Sequence, residues 1–301
     1  MSVTQQQLNV SEPVGTTGLS VNSVQTDQIQ HEATLFAEPI FHLGNFTVTN
    51  ALLNSWIALV LIVVCSLAIR ARLALIPRGI QNYAELLYDN ALQLADSVTN
   101  ARERSEKFLP FVLPFFVFIL VNNWLGILPG VGTIGYLATN AGESTFVPFL
   151  RGATADLNTT LALAIVSVAL THIFGVVMTH TADHFNRFIR YRSILAIPRK
   201  VFKEKDYTAL LVNPIDFFVG LIEIIGEVAK IASLSFRLFG NIFAGEVLLA
   251  SIAAIFAYVL PLPFIFLELI VGIIQALIFA ILTLVFLTIM TTGHEPTEAH
   301  S

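Results

Sequence analysis

The sequence predicts an all-α, polytopic membrane protein with about five membrane-crossing helices. Its C-terminal part forms a hairpin of two long inclined helices, and an amphipathic helix lies at the membrane surface. Three observations predict this class. Of 301 residues, 55% are hydrophobic and 12% charged, about half the roughly 25% charge of a soluble domain. The mean hydropathy is +0.75, and there are 24 Phe. Several apolar runs also exceed the length of an ordinary soluble helix and suit a bilayer span. This excludes a soluble enzyme and a secreted disulfide scaffold. The net charge of −5 offers no basic surface to a polyanion, so no nucleic-acid partner is expected. The lone Cys65 lies inside an apolar run and has no intrachain disulfide partner.

Residues 1–50 contain no Lys or Arg and are rich in Gln, Asn, Ser and Thr, so they read as a polar tail. They have neither the basic start and apolar core of a signal peptide nor the Arg-rich pattern of a transit peptide, and the N-terminus is expected to be kept. The membrane domain is read as 51–301. A first span is expected at about 51–69, followed at once by Arg70, Arg72 and Arg78. Over 79–105, Tyr83, Leu86, Leu87, Leu94 and Val98 alternate with Glu85, Asp89, Asp96, Arg102 and Arg104 at helical spacing. That pattern fits a helix lying on the membrane. A second span is expected at about 108–128 and a third at about 157–178. The Gly- and Thr-containing 130–156 segment reads as a loop between them.

Residues 215–258 stay apolar without a proline. As one helix they would extend about 66 Å, twice a hydrocarbon core. Pro261 and Pro263 end the run, and 264–292 forms a second of about 43 Å. Such helices must incline or bend. The alternative is two ordinary spans within the first run, with a turn near Gly240–Gly245. Orientation follows from charge. Six of the 16 Lys and Arg lie at 70–107, seven at 187–205, and one, Arg151, in the 130–156 loop. The two basic clusters belong on the cytoplasmic side, which puts the N-terminus and Arg151 outside and, with five crossings, the C-terminus inside.

Between residues 231 and 293 the charged side chains are Arg237, Glu246 and Glu268. Each costs about 2.5–3.5 kcal/mol at mid-membrane on insertion scales. On physical grounds they form an ion or proton path, or charge pairs holding helices together. Glu223, Lys230 and Arg237 are seven apart and share a stripe drifting about 20° per step. Ser233 and Asn241, four residues either side of Arg237, extend that face. Glu246, nine residues on, lies about half a turn around the helix. Glu268 and Gln275, again seven apart, share a face of the second run. Arginine cannot give up its proton, whereas a partly desolvated carboxyl exchanges protons near neutral pH. A fixed cation beside such groups makes a proton gate.

The segment Ser233-Leu-Ser-Phe-Arg237-Leu-Phe-Gly-Asn241, followed by Ala244-Gly-Glu246, resembles the signature of subunit a of the F-type ATP synthase. Glu268 with Gln275-Ala-Leu-Ile-Phe279 resembles that family's second signature. Asn213-Pro214, Glu223, Lys230 and Asp156-Leu-Asn158-Thr159-Thr160 fall at matching places, so the likeness covers about 45–300. The resemblance implies that Arg237 faces a rotating ring of c subunits and separates two half-channels. It implies that Glu246 and Glu268 line the inlet and Glu223 the outlet, with Asn241, Gln275 and Ser233 as polar neighbours. Peripheral-stalk b subunits and membrane lipid are the other implied partners. ATP chemistry would occur on partner subunits, with no catalytic site, cofactor or metal on this chain. Both inlet positions are glutamate here, where the family often has one histidine, so the inlet is expected to work at a different pH. A self-contained proton channel or secondary transporter is the rival, although the Arg237 segment has no second copy. A structural membrane anchor with paired charges is another. The missing transit peptide and the full-length match point to a bacterial plasma membrane.

Other residues carry plainer readings. His172, His180 and His184 read as interfacial packing rather than a metal site. Glu227 is placed to pair with Lys230, and Trp56 and Trp124 read as interface anchors or packing residues. The basic 187–205 segment is expected to meet anionic headgroups or a stalk subunit. Gly240 and Gly245 are expected to allow close helix approach to the ring or to the hairpin partner.

Overall fold

Apolar runs bounded by turn-forming residues become helices in the computed structural model, which describes residues 36–71, 73–74, 79–140, 143–178, 209–256 and 259–291. The helices are α1 (Asn50–Ala71), α2 (Ile80–Thr99), α3 (Arg102–Ile127), α4 (Leu157–Met178), α5 (Ala209–Ile255) and α6 (Pro261–Thr291). All but α2 are long and apolar enough to cross a bilayer, which makes the chain a polytopic helical membrane protein. Short strands join them: β1 (Pro39–Leu43) and β2 (Phe46–Thr49), then β3 (Pro129–Gly132), β4 (Gly135–Asn140) and β5 (Glu143–Pro148).

The core lies where α3, α4, α5 and α6 meet. Ile119, Ala164, Val168, Leu234, Leu238, Ala276 and Phe279 bury one face of each helix there. Hydroxyl pairs stitch α4 to both long helices: Thr160 Oγ1 to Ser235 Oγ of α5 at 3.3 Å, and Ser167 Oγ to Thr283 Oγ1 of α6 at 2.8 Å. A second cluster joins Leu92 and Ala95 of α2 to Phe108, Leu109 and Val112 of α3 and to Leu284 and Leu287 of α6. The outward side of α2 still exposes Ile80, Tyr83, Leu86 and Leu87, as a helix lying on lipid would. Helix α1 is peripheral, with most of its aliphatic side chains exposed.

Three segments differ from the sequence reading. The amphipathic helix stops at Thr99 rather than near 105, because Asn100 adopts a left-handed conformation (φ 51°) and its N–H caps Asp96 O. Helix α3 then starts at Arg102, ahead of the expected 108. Its charged first turns are held by the i,i+4 pairs Arg102–Glu106 (3.0 Å) and Lys107–Glu103 (2.7 Å). The expected 130–156 loop contains an antiparallel β4–β5 hairpin, paired from Gly135↔Pro148 to Asn140↔Glu143, and a 3₁₀ turn at Ala153–Ala155. Gly135 is required there, since a Cβ would strike Val147 O.

The polar tail also contains structure: β1 and β2 form a hairpin ending at α1. Asp156 joins the segment before β1 to the start of α4. Its Oδ2 accepts from Thr159 N at 3.0 Å, capping α4, and its Oδ1 accepts from Ala37 N at 3.0 Å. Asn50 acts similarly, accepting from Glu38 N (3.2 Å) and donating to Pro148 O (3.4 Å). Helix α5 has no turn near Gly240–Gly245. It runs 47 residues, a length of about 70 Å, and Pro261 opens the returning α6 at a position where proline is favoured.

Candidate functional site

The long helix α5 presents two chemically different faces. Leu234, Ser235, Leu238, Phe239 and Ile242 point into the bundle and are buried. Ser233, Phe236, Arg237, Asn241, Ala244 and Leu248 recur at helical spacing on the opposite, exposed face. Arg237 is exposed at the centre of this face. Its Nη2 donates to Ser233 Oγ at 3.3 Å, and among the described residues it forms no ion pair. Asn241 shares the face, as the four-residue spacing predicts. Gly240 has open space beside it, with no atom within 4 Å of a Cβ built there.

The stripe toward Glu223 is only partly continuous. Lys230 turns to its own helix and to α6: its Nζ bonds Glu227 Oε1 at 2.8 Å and lies 5.1 Å from the centre of the Phe286 ring. Glu227 Oε2 also sits 3.5 Å from His172 Nε2 of α4. His172 therefore joins a partly buried polar cluster between α4 and α5, while His180, His184 and the 187–205 segment lie outside the described residues. Glu223 is half-buried one heptad before Lys230.

On the inward side, a cavity of about 440 Å³ opens between α3, α5, α6 and the β5–α4 connection. Asn123, Arg151, Thr154, Ile242, Glu246 and Glu268 are among its lining residues. Glu246 faces it half-buried, about half a helical turn around from Arg237, as their nine-residue separation requires. Arg151, 6% exposed, grips Glu246 side-on: Nε donates to Oε1 and Oε2 at 3.0 and 3.2 Å, and Nη2 to Oε2 at 2.9 Å. Its Nη1 donates to Phe36 O at 3.3 Å, tying the pair to the segment before β1.

Glu268 is 8% exposed, and its Oε1 is buried without a hydrogen-bond partner among the described residues. Its carboxyl occupies the space left by Gly245, where a Cβ would collide with Oε1, Oε2 and Cδ. Of the two glycines considered at sequence level, Gly245 serves the hairpin partner and Gly240 faces outward. Gln275 is buried two turns further along the same face of α6. Asn123 braces this wall, donating to Gly272 O at 3.1 Å and accepting from Thr154 Oγ1 at 2.6 Å. Trp124 exposes its ring edge and donates to Leu269 O at 3.4 Å.

The sequence reading missed Arg151 as a site residue. Two signals pointed to it: it is the only basic residue of the 130–156 segment, and it stands beside Gly152 five residues before Asp156. A Cβ on Gly126 would come within 2.9 Å of Gly152 Cα. These two glycines let the connection press against α3 and bring the guanidinium inside. The cavity therefore does not hold two bare carboxylates, since Arg151 supplies a counter-charge.

A polytopic helical membrane protein whose intramembrane charges gather on and beside one C-terminal hairpin is the class that fold and site define. The family model described as ATP synthase A chain matches residues 52–288, and the chain belongs to that family. Its relatives include the ATP synthase subunit a of Moorella thermoacetica, 28% identical over 255 residues that cover 85% of this chain and 96% of the relative. The ATP synthase subunit a of Geobacter sp. (strain M21) is 30% identical over 238 residues, 79% and 86% of the two chains. That of Campylobacter jejuni subsp. doylei is 32% identical over 241 residues, 79% and 89%.

Proposed function

We propose that this chain is the stationary proton-path subunit, subunit a, of an F-type ATP synthase. In this reading the exposed face of α5 meets a rotating ring of c subunits, and Arg237 attracts each ring carboxylate as it passes. Arginine stays protonated, so it favours the anionic form of that carboxylate and blocks direct proton leakage between two half-channels. The cavity with Glu246 and Glu268 is the inlet from the outer side, and Glu223 lies along the cytoplasmic outlet. Asn241, Ser233 and Gln275 are polar neighbours that orient water or the guanidinium. The subunit moves protons, and ATP chemistry belongs to other subunits. Peripheral-stalk b subunits and lipid cover other parts of its surface. The chain sits in a bacterial plasma membrane with its N-terminus outside and its C-terminus cytoplasmic.

The observation that carries this reading is Arg237 itself, exposed on a long apolar helix and bonded to nothing more than Ser233 among the described residues. A desolvated cation without a counter-charge in its own chain calls for one on a neighbour. The test is Arg237→Ala in the assembled complex. Gradient-driven ATP synthesis should vanish while the subunits still co-purify. Synthesis at the wild-type rate would defeat the reading, and loss of the complex would make Arg237 structural.

A further inference from the structure

The two glutamates that face the cavity are held in opposite ways. Both oxygens of Glu246 are occupied by Arg151, through three contacts of 2.9–3.2 Å. The guanidinium is fixed from behind by Phe36 O and packed into place by the Gly126–Gly152 contact. Glu268, by contrast, has a buried oxygen with no hydrogen-bond partner among the described residues. Its carboxyl lies against Gly245, where a Cβ would collide with it. The charged groups lining the cavity are Arg151 from the β5–α4 connection, Glu246 from α5 and Glu268 from α6, while α3 contributes the neutral Asn123.

We propose that Arg151 is a positioning residue that fixes Glu246 as a static counter-charge in the cavity wall, so that Glu268 alone of the two glutamates exchanges the transported proton. Both oxygens of Glu246 accept from a guanidinium that keeps its own protons and stays in place. Glu268 instead has a buried oxygen that accepts no hydrogen bond among the described residues. One proton enters from the outer side and binds Glu268, then leaves toward the exposed face of α5. The Arg151–Glu246 pair keeps the same charge before and after. This division of labour rests on the proton path proposed above.

The experiment uses membrane vesicles carrying the assembled complex, with co-purification recorded for each variant. Glu268→Gln should lower gradient-driven ATP synthesis more than about 100-fold, as expected for loss of a proton-transfer group. Glu246→Gln should also impair synthesis, because it removes the carboxylate that Arg151 holds in the wall of the cavity. The double variant Arg151→Gln/Glu246→Gln removes both charges and should recover synthesis about tenfold over Glu246→Gln alone. A double variant no better than Glu246→Gln would make Glu246 an obligatory carrier and overturn the proposal.

Infrared difference spectra of the complex during an outer-pH titration give a readout that survives poor assembly of the double variant. A protonated-carboxyl component should disappear in Glu268→Gln and persist in Glu246→Gln, and any other pattern overturns the proposal. Failure of Arg237→Ala to affect coupling would defeat the underlying path instead, so the two failures are distinguishable.

Discussion

Two arginines of this chain occupy low-dielectric surroundings and meet opposite fates. Arg151 is buried in the connection between β5 and α4 and has its carboxylate, Glu246, in the same chain. Arg237 stands exposed on α5 with one hydroxyl contact. Elementary electrostatics treats the two alike, since each charge needs compensation when water is excluded. Where the chain supplies the compensation, the charge shapes its own architecture. Where it does not, as at Arg237, the function proposed above supplies it from another molecule. Burial and pairing thus set the two arginines apart.

The largest effect that tests this contrast belongs to Arg237. Arg237→Lys keeps the charge but replaces a group that stays protonated by one that deprotonates in apolar surroundings. Proton-driven ATP synthesis should fall nearly as far as in Arg237→Ala, with subunit recovery unchanged. Arg151→Ala should instead act first on the stability of the subunit. Stranding Glu246 costs about 3 kcal/mol, the lower end for breaking a buried ion pair because Glu246 faces the cavity. Heat denaturation of the purified complex, followed by release of this subunit, reads that loss. Equal stability of the Arg151 and Arg237 variants would erase the distinction.

The glycines sharpen it. Gly245→Ala forces Glu268 out of its niche, a local overpacking worth about 1–3 kcal/mol, and passive proton conductance should drop with it. Gly240→Trp meets open space in its own chain, so the subunit should accumulate normally while less c-ring co-purifies. The smallest expected change is at Lys230. Lys230→Met removes its Glu227 contact and the Phe286 cation–π contact but leaves the methylene stem packed. It should lower stability by no more than about 1 kcal/mol in the same denaturation assay.

The helices were legible because their signals are strong and local. A long apolar run bounded by Arg70 or Pro261 leaves the chain few other options in lipid. The separation of Arg237 from Glu246 on α5 was likewise readable, because nine residues fix about half a turn. The Arg151 contact was not readable, because it joins positions 95 apart in sequence and depends on the close approach of two glycines. The strands were hidden among Gly and Thr residues that resemble a loop. Asn100 ended α2 inside an amphipathic pattern that continued past it, since a left-handed residue leaves no periodic trace. Near-exposed elements were misjudged by a few residues, and tertiary contacts were largely out of reach.

The hydroxyl pairs between α4 and the two arms of the hairpin have a mechanical consequence. Thr160–Ser235 and Ser167–Thr283 each join α4 to a different arm. A sideways load on the outer face of α5 is therefore shared by three helices instead of bending one, and directional bonds resist sliding in a way that greasy contacts do not. Pressed against a spinning neighbour, the hairpin would hold its bearing surface still, because torque delivered to one rod is taken up by the whole frame.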